Sequence, residues 1–244
     1  MKKLIASALV VVLLTVGLVT GCTGVKVIGS GNLVTETFDY SDFTGIIAES
    51  GMQVELTRSD TFSVEVVADD NVIEYIEVSK SGDTLRIRPK SNAAFRDATL
   101  TTRITMPELY RLELSGGAHA NITGFSSTHD LSVKLSGGSH VSDFITPGDI
   151  TAGNADFTLS GGSHVRLTGS ADDLDINCSG GSHIDLEGLS ADNADIKLSG
   201  GSHATVNVSG TLNVDLSGGS KVYYVGNPTI GKEDVDWDSD LIKK

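Results

Sequence analysis

The chain has 244 residues, with 32 Asp and Glu against 18 Lys and Arg and a net charge of −14. That acidity makes nucleic acid a poor partner and repels anionic lipid headgroups. The chain is also long enough to bury a hydrophobic core of its own.

Residues 1–21 read as a signal segment outside the fold. Lys2 and Lys3 form a positive start, and the apolar run over 4–19 is too short and too abruptly ended to favour a permanent membrane span. The run closes on Leu18-Val19-Thr20-Gly21-Cys22, which resembles the lipobox of bacterial lipoprotein precursors. The resemblance implies that Cys22 becomes the first mature residue, carries lipid and makes the membrane its partner; the alternative is an ordinary secretory signal with an incidental Cys. Each buried lipid CH₂ contributes ~0.8 kcal/mol, so more than one chain gives durable attachment in the cell envelope, outside the cytoplasm. Thr23 follows, not Asp, so the familiar sorting rule does not argue for retention on an inner membrane. Cleavage removes two lysines and no acid, taking the charge from −14 to −16. With Cys22 lipidated, the remaining Cys178 cannot form an intramolecular disulfide and reads as a small core hydrophobe.

Residues 22–34 lead from the anchor into a single domain over 35–230. Its first part alternates as strands at 45–48, 52–56, 62–66, 84–88 and 103–106. Residues 70–76 form the one credible helical turn, opened by Asp70 as a cap. From 111 to 225 one phrase is written six times, starting at Ser115, Ser136, Ser160, Ser179, Ser199 and Ser217, at spacings of 21, 24, 19, 20 and 18 residues. Each copy is strand, Gly-Gly corner, strand: Leu174, Ile176 and Cys178 alternate with Asp175 and Asn177, and Ile184 and Leu186 alternate with His183 and Asp185. About 20 residues suit one rung of a β-helix built from three short strands. Columns such as Leu114, Leu135, Leu159, Cys178, Leu198 and Leu216 keep one character from rung to rung, as stacked rungs demand. The expected fold is all-β, a right-handed parallel β-helix or solenoid with irregular N-terminal rungs; the alternative is an antiparallel β-sandwich. Residues 231–244 read as a C-terminal cap or tail, with Trp237, the only Trp, plugging the last rung.

Residues 27–32 (Val27-Ile28-Gly29-Ser30-Gly31-Asn32), 45–56, 68–76, the Ser-Gly-Gly phrases and 220–228 resemble the head GIN domain family of auto-transporter adhesin heads, formerly a domain of unknown function. The resemblance implies a β-helical secreted or lipid-anchored protein and supplies no catalytic residue.

Two outward columns are candidates for chemistry. His119, His140, His164, His183 and His203 share one position, with Lys221 sixth; in register they form a ladder with steps of ~4.8 Å. Imidazole suits Zn²⁺, Cu²⁺ and Ni²⁺, but a flat ladder lacks the convergence of a firm site. Neighbouring imidazoles also gain like charges below pH ~6.5, which makes the column a candidate pH sensor; the plainer reading, placed ahead of both, is a surface feature copied with its repeat. Asp156, Asp175 and Asp195 form an acidic column that could hold Ca²⁺ or act as the carboxylate pair of a carbohydrate-active enzyme. Against catalysis stand the want of a nearby basic partner, Arg166 being the only Arg after Arg111, and few aromatics for sugar stacking. The serines of the phrase lack a nucleophile elbow and a base. The expected function is a lipid-anchored, non-catalytic, adhesin-like binding scaffold for a surface glycan or protein; the alternatives are a β-helical carbohydrate-active enzyme and a metal-binding envelope protein.

Overall fold

The computed structural model describes residues 25–90, 93–143 and 150–244. The Cys22 reading and the signal segment lie outside the described residues. No helix among them is long and apolar enough to cross a membrane. The chain folds as a β-solenoid of about 6 turns, with parallel pairings about 20 residues apart. The antiparallel sandwich is thereby set aside.

Every rung has a leading arm before the corner and a trailing arm after it. On the leading arm Arg111–Ser115 pairs in parallel with Leu131–Leu135, which pairs with Ala155–Leu159, and Ala155 then aligns with Leu174 and Leu174 with Ala194. On the trailing arm His119–Thr123, His140–Asp143 and His164–Arg166 stack in the same way. Alternation sends one side chain of each pair inward, so Leu112, Val133, Phe157, Ile176 and Val214 fill the tube at 0–1% exposure. A short third side closes the middle rungs through Ile150–Thr151, paired with Gly169 and Ser170, and through Ser190 and Ala191 against Asn207 and Val208. Val208 then passes through Ser209 and Gly210 straight into Thr211–Leu216, which accounts for the shortest repeat spacing.

The corner is built by backbone conformation and by a buried hydroxyl. Both glycines of all six copies have φ between 63° and 77°, a left-handed region costly for residues with a Cβ. The serine after them points inward: Ser139, Ser163, Ser182, Ser202 and Ser220 are 0% exposed. Each donates its hydroxyl to the carbonyl of the first Ser of its own phrase, at 2.7–2.8 Å. The buried polar column is thus satisfied locally, copy by copy.

The N-terminal rungs depart from chain order. Gly45–Glu49 and Gln53–Arg58 pair directly with the first repeat, while Thr84–Pro89 and Leu100–Met106 stack on their far side. The solenoid end is then covered by antiparallel strands: Ile76–Ser81 against Thr84–Pro89, and Leu33–Phe38 against Ser63–Asp69, which also pairs with Leu100–Met106. These strands occupy the open edges that a bare rung would leave.

The helical turn is a 3₁₀ segment, Ile73–Tyr75, following Val72 with no side-chain cap. Asp70 is committed elsewhere, accepting from Ser30 Oγ at 2.6 Å and Asn32 Nδ2 at 2.8 Å. Asp69, 2% exposed, accepts from the backbone N–H of Gly31 at 2.6 Å and of Thr99 at 2.7 Å. Asn71 donates to the Ile28 carbonyl at 2.8 Å. Residues 69–71 therefore clasp the loop after Val25–Ile28, itself a strand paired with Ala93–Arg96. The lead-in from residue 25 is fastened to the domain.

At the C-terminus, Thr229–Val235 and Asp240–Lys243 add one more rung, paired with Thr211–Leu216 and Lys221–Val225. The tail covers the last repeat with strands. Trp237 is no plug: it is 95% exposed, because it stands on the corner of the added rung, outside the tube.

Candidate functional site

The five histidines come together as expected. His119 aligns with His140, His140 with His164, His164 with His183 and His183 with His203. Their ring centroids are 5.8, 5.9, 5.9 and 6.0 Å apart, with planes inclined by 28–36°. The rings lie along a straight outer column of the trailing arm, and no three metal-ligating side chains converge among the described residues. The column continues beyond the histidines. Gln53 aligns with His119 at one end; at the other, Lys221 aligns with Asp240 and donates to its carboxylate at 2.9 Å. That hydrogen bond and its charge raise the pKa of Lys221. Burial, followed by the neighbouring histidines, lowers the pKa of His140 and His183, with Asp185 opposing at His183.

The acidic column is also in register: Asp156 aligns with Asp175 and Asp175 with Asp195. Asn213 succeeds them and donates to Asp195 Oδ1 at 2.7 Å. Partial burial raises the pKa of Asp175, and the Asp156 and Asp195 charges add to the effect. Asp175 and Asp195 line an open groove of about 350 Å³ along the leading arm; Asp156 lies outside it. The groove holds basic partners that a search for arginine passes over. Lys197 Nζ lies 3.8 Å and Lys232 Nζ 4.0 Å from Asp215 Oδ2. Lys197 is two positions beyond Asp195, on the same outward face, which is the sequence signal that would have found it.

Two degenerate copies of the corner also escape a search for Gly-Gly. Ser50 and Gly51 hold φ of 57° and 78° in the corner before the first repeat, where Met52 takes the inward serine position at 0% exposure. Asp236 to Asp240 form the last corner, with Ser239 7% exposed and its hydroxyl accepting from the Ser220 N–H at 3.1 Å. Cys178 is buried and free, and burial pushes its thiol up to about 12.

The chain resembles several solved structures of low sequence identity, a likeness that carries the fold alone. A putative adhesin from Bacteroides fragilis NCTC 9343 superposes with a TM-score of 0.79 at 20% identity, covering 89% of this chain and 100% of that one. A putative lipid binding protein from Parabacteroides distasonis ATCC 8503 gives 0.72 at 20% identity, covering 90% and 99%. A putative adhesin from Parabacteroides merdae ATCC 43184 gives 0.71 at 18% identity, also covering 90% and 99%. No curated protein matches the sequence. Residues 42–228 match the family described as "Putative auto-transporter adhesin, head GIN domain", and the chain belongs to that family.

Proposed function

We propose that this protein is a lipid-anchored, non-catalytic binding scaffold of the cell envelope, adhesin-like in its work. The observation that carries this reading is the arrangement of its polar side chains. They stand in flat, in-register columns on the outside of a filled tube, the His column on one arm and the Asp column on the other. Such columns offer repeated, shallow contacts along a line, which suits an extended ligand better than the enclosed pocket of an enzyme. The family's description and the neighbours' names as adhesins or binding proteins agree with it. The short path from Cys22 to the strand starting at Val25 would hold the fastened N-terminal end beside the bilayer and direct the repeats away from it.

Metabolic labelling with palmitate, followed by membrane fractionation and surface proteolysis, tests the anchor. The native chain should carry label, sediment with membrane and be cut from outside. Cys22→Ser should lose the label and appear in the soluble fraction. Label retained by Cys22→Ser would contradict the assignment.

A further inference from the structure

Trp237 is 95% exposed, although indole gains much from burial and has no structural reason to face water. It stands on the corner that follows Thr229–Val235, the last strand of the leading arm. That arm carries the open groove lined by Asp175, Asn177, Asp195, Lys197, Asp215 and Lys232. Both features lie toward the C-terminal end of the stack: the groove runs over the strands of Asp175, Asp195 and Asp215. Since Asp215 aligns with Asp234, Trp237 stands three positions past the groove's nearest column, about 10 Å along the strand.

We propose that this end of the leading arm is a saccharide-binding track, with Trp237 as its stacking platform and the groove side chains as partners for hydroxyl groups. The proposal rests on the binding-scaffold reading and names its ligand class and site. A pyranose has a C–H face that packs on an indole ring and hydroxyls that both donate and accept hydrogen bonds. The groove provides for both kinds: the carboxylates of Asp175 and Asp195 accept, and the ammonium groups of Lys197 and Lys232 donate. Lys197 and Lys232 are 65–66% exposed, so a ligand reaches them without opening the fold. The rungs repeat at ~4.8 Å, so successive residues of an extended ligand meet successive rungs, Asn177, Lys197 and Asp215 in one column and Asp175, Asp195 and Asn213 in the next.

Other ligand classes fit less well. Asp236 and Asp238 flank Trp237 in a chain of net charge −14, which repels nucleic acid and anionic bilayers. An aliphatic ligand would strip water from the groove's charges and offer them no hydrogen bond in return.

Trp237 is the only Trp in the chain, so its fluorescence reports this site alone. The experiment titrates the full chain with tetrasaccharides of glucose, mannose and N-acetylglucosamine. It follows emission wavelength and acrylamide quenching, with calorimetry on the same samples. At least one sugar should shift the emission to the blue and protect the indole from quencher. Trp237→Ala should weaken its binding about tenfold or more, as truncating an aromatic anchor does. Lys197→Ala with Lys232→Ala, which alters the groove but leaves the fluorophore, should weaken the same sugar without abolishing the fold.

Binding that survives unchanged in Trp237→Ala would overturn the track while leaving the scaffold reading intact. Unshifted emission with every sugar would overturn it too, as would protection of Trp237 by an envelope protein fraction but by no glycan. New reducing ends in the titrated sugar would instead overturn the non-catalytic reading.

Discussion

The two glycines of each corner answer different demands. A Cβ on Gly161 would lie 3.1 Å from the backbone nitrogen of Gly137 in the neighbouring rung, whereas one on Gly162 would meet nothing within 4 Å. Both have positive φ, 64° and 75°. Gly162→Ala should therefore cost about 1 kcal/mol for its backbone conformation alone. Gly161→Ala should cost about 2–3 kcal/mol, since the rungs must also part. Urea unfolding of the two variants side by side checks the difference; equal losses would mean the rungs do not stack this closely. Cys178 supplies a second test at this scale. Buried, with its pKa pushed up to about 12, its thiol should resist Ellman's reagent at neutral pH in the native protein and react fully once urea unfolds it.

At the scale of single elements, the His column makes stability depend on pH. Burial and the adjacent imidazoles hold His140 and His183 below the ordinary histidine value. Near and below pH ~6.5 the unfolded chain therefore takes up protons that the native column refuses, and stability falls as the pH falls. The groups facing the column are Gln53 and Lys221 at its ends and, one outward position along, Glu55, which is ion-paired with Arg103, then Asn121, Ser142, Arg166, Asp185, Thr205 and Tyr223. Among these Asp185 alone opposes protonation-linked loss, and Arg166 lies 3.8 Å from it. The midpoint of thermal unfolding should drop between pH 7 and pH 5, and His140→Gln with His183→Gln should flatten that drop. The N-terminal clasp titrates lower. The N–H groups of Thr99 and Gly31 hold Asp69 below the usual carboxylate value, so its contribution is present above pH ~3.8 and is lost as the pH falls through the folded value. Asp69→Asn should raise hydrogen exchange in residues 25–38 and leave the repeats protected. Exchange rising uniformly along the chain would show that the clasp is not a separate unit.

Across the whole molecule, the repeats were legible because each rung copies the last, so a column of letters is a column of side chains. His119 to His203 and Asp156 to Asp195 could be placed without coordinates for that reason. The irregular end was not, because alternation in Thr84–Pro89 or Leu100–Met106 marks a strand without naming its partner. Nothing local indicates that these strands stack outside Gly45–Arg58 instead of following it. The degenerate corners hid behind their substitutions. Ser50 keeps the left-handed conformation without glycine, and the last corner dispenses with positive φ altogether, which leaves Trp237 standing in water where a plug was expected. The resulting molecule is a filled tube with a fastened N-terminal end, polar columns along its sides and an indole at its far end. The measurement that bears most directly on what such a molecule does is the chain length of an envelope polysaccharide recovered after saturating equilibrium binding to the full protein. A binding scaffold returns the polymer at its original length with no new reducing ends, and shortened polymer would contradict that function.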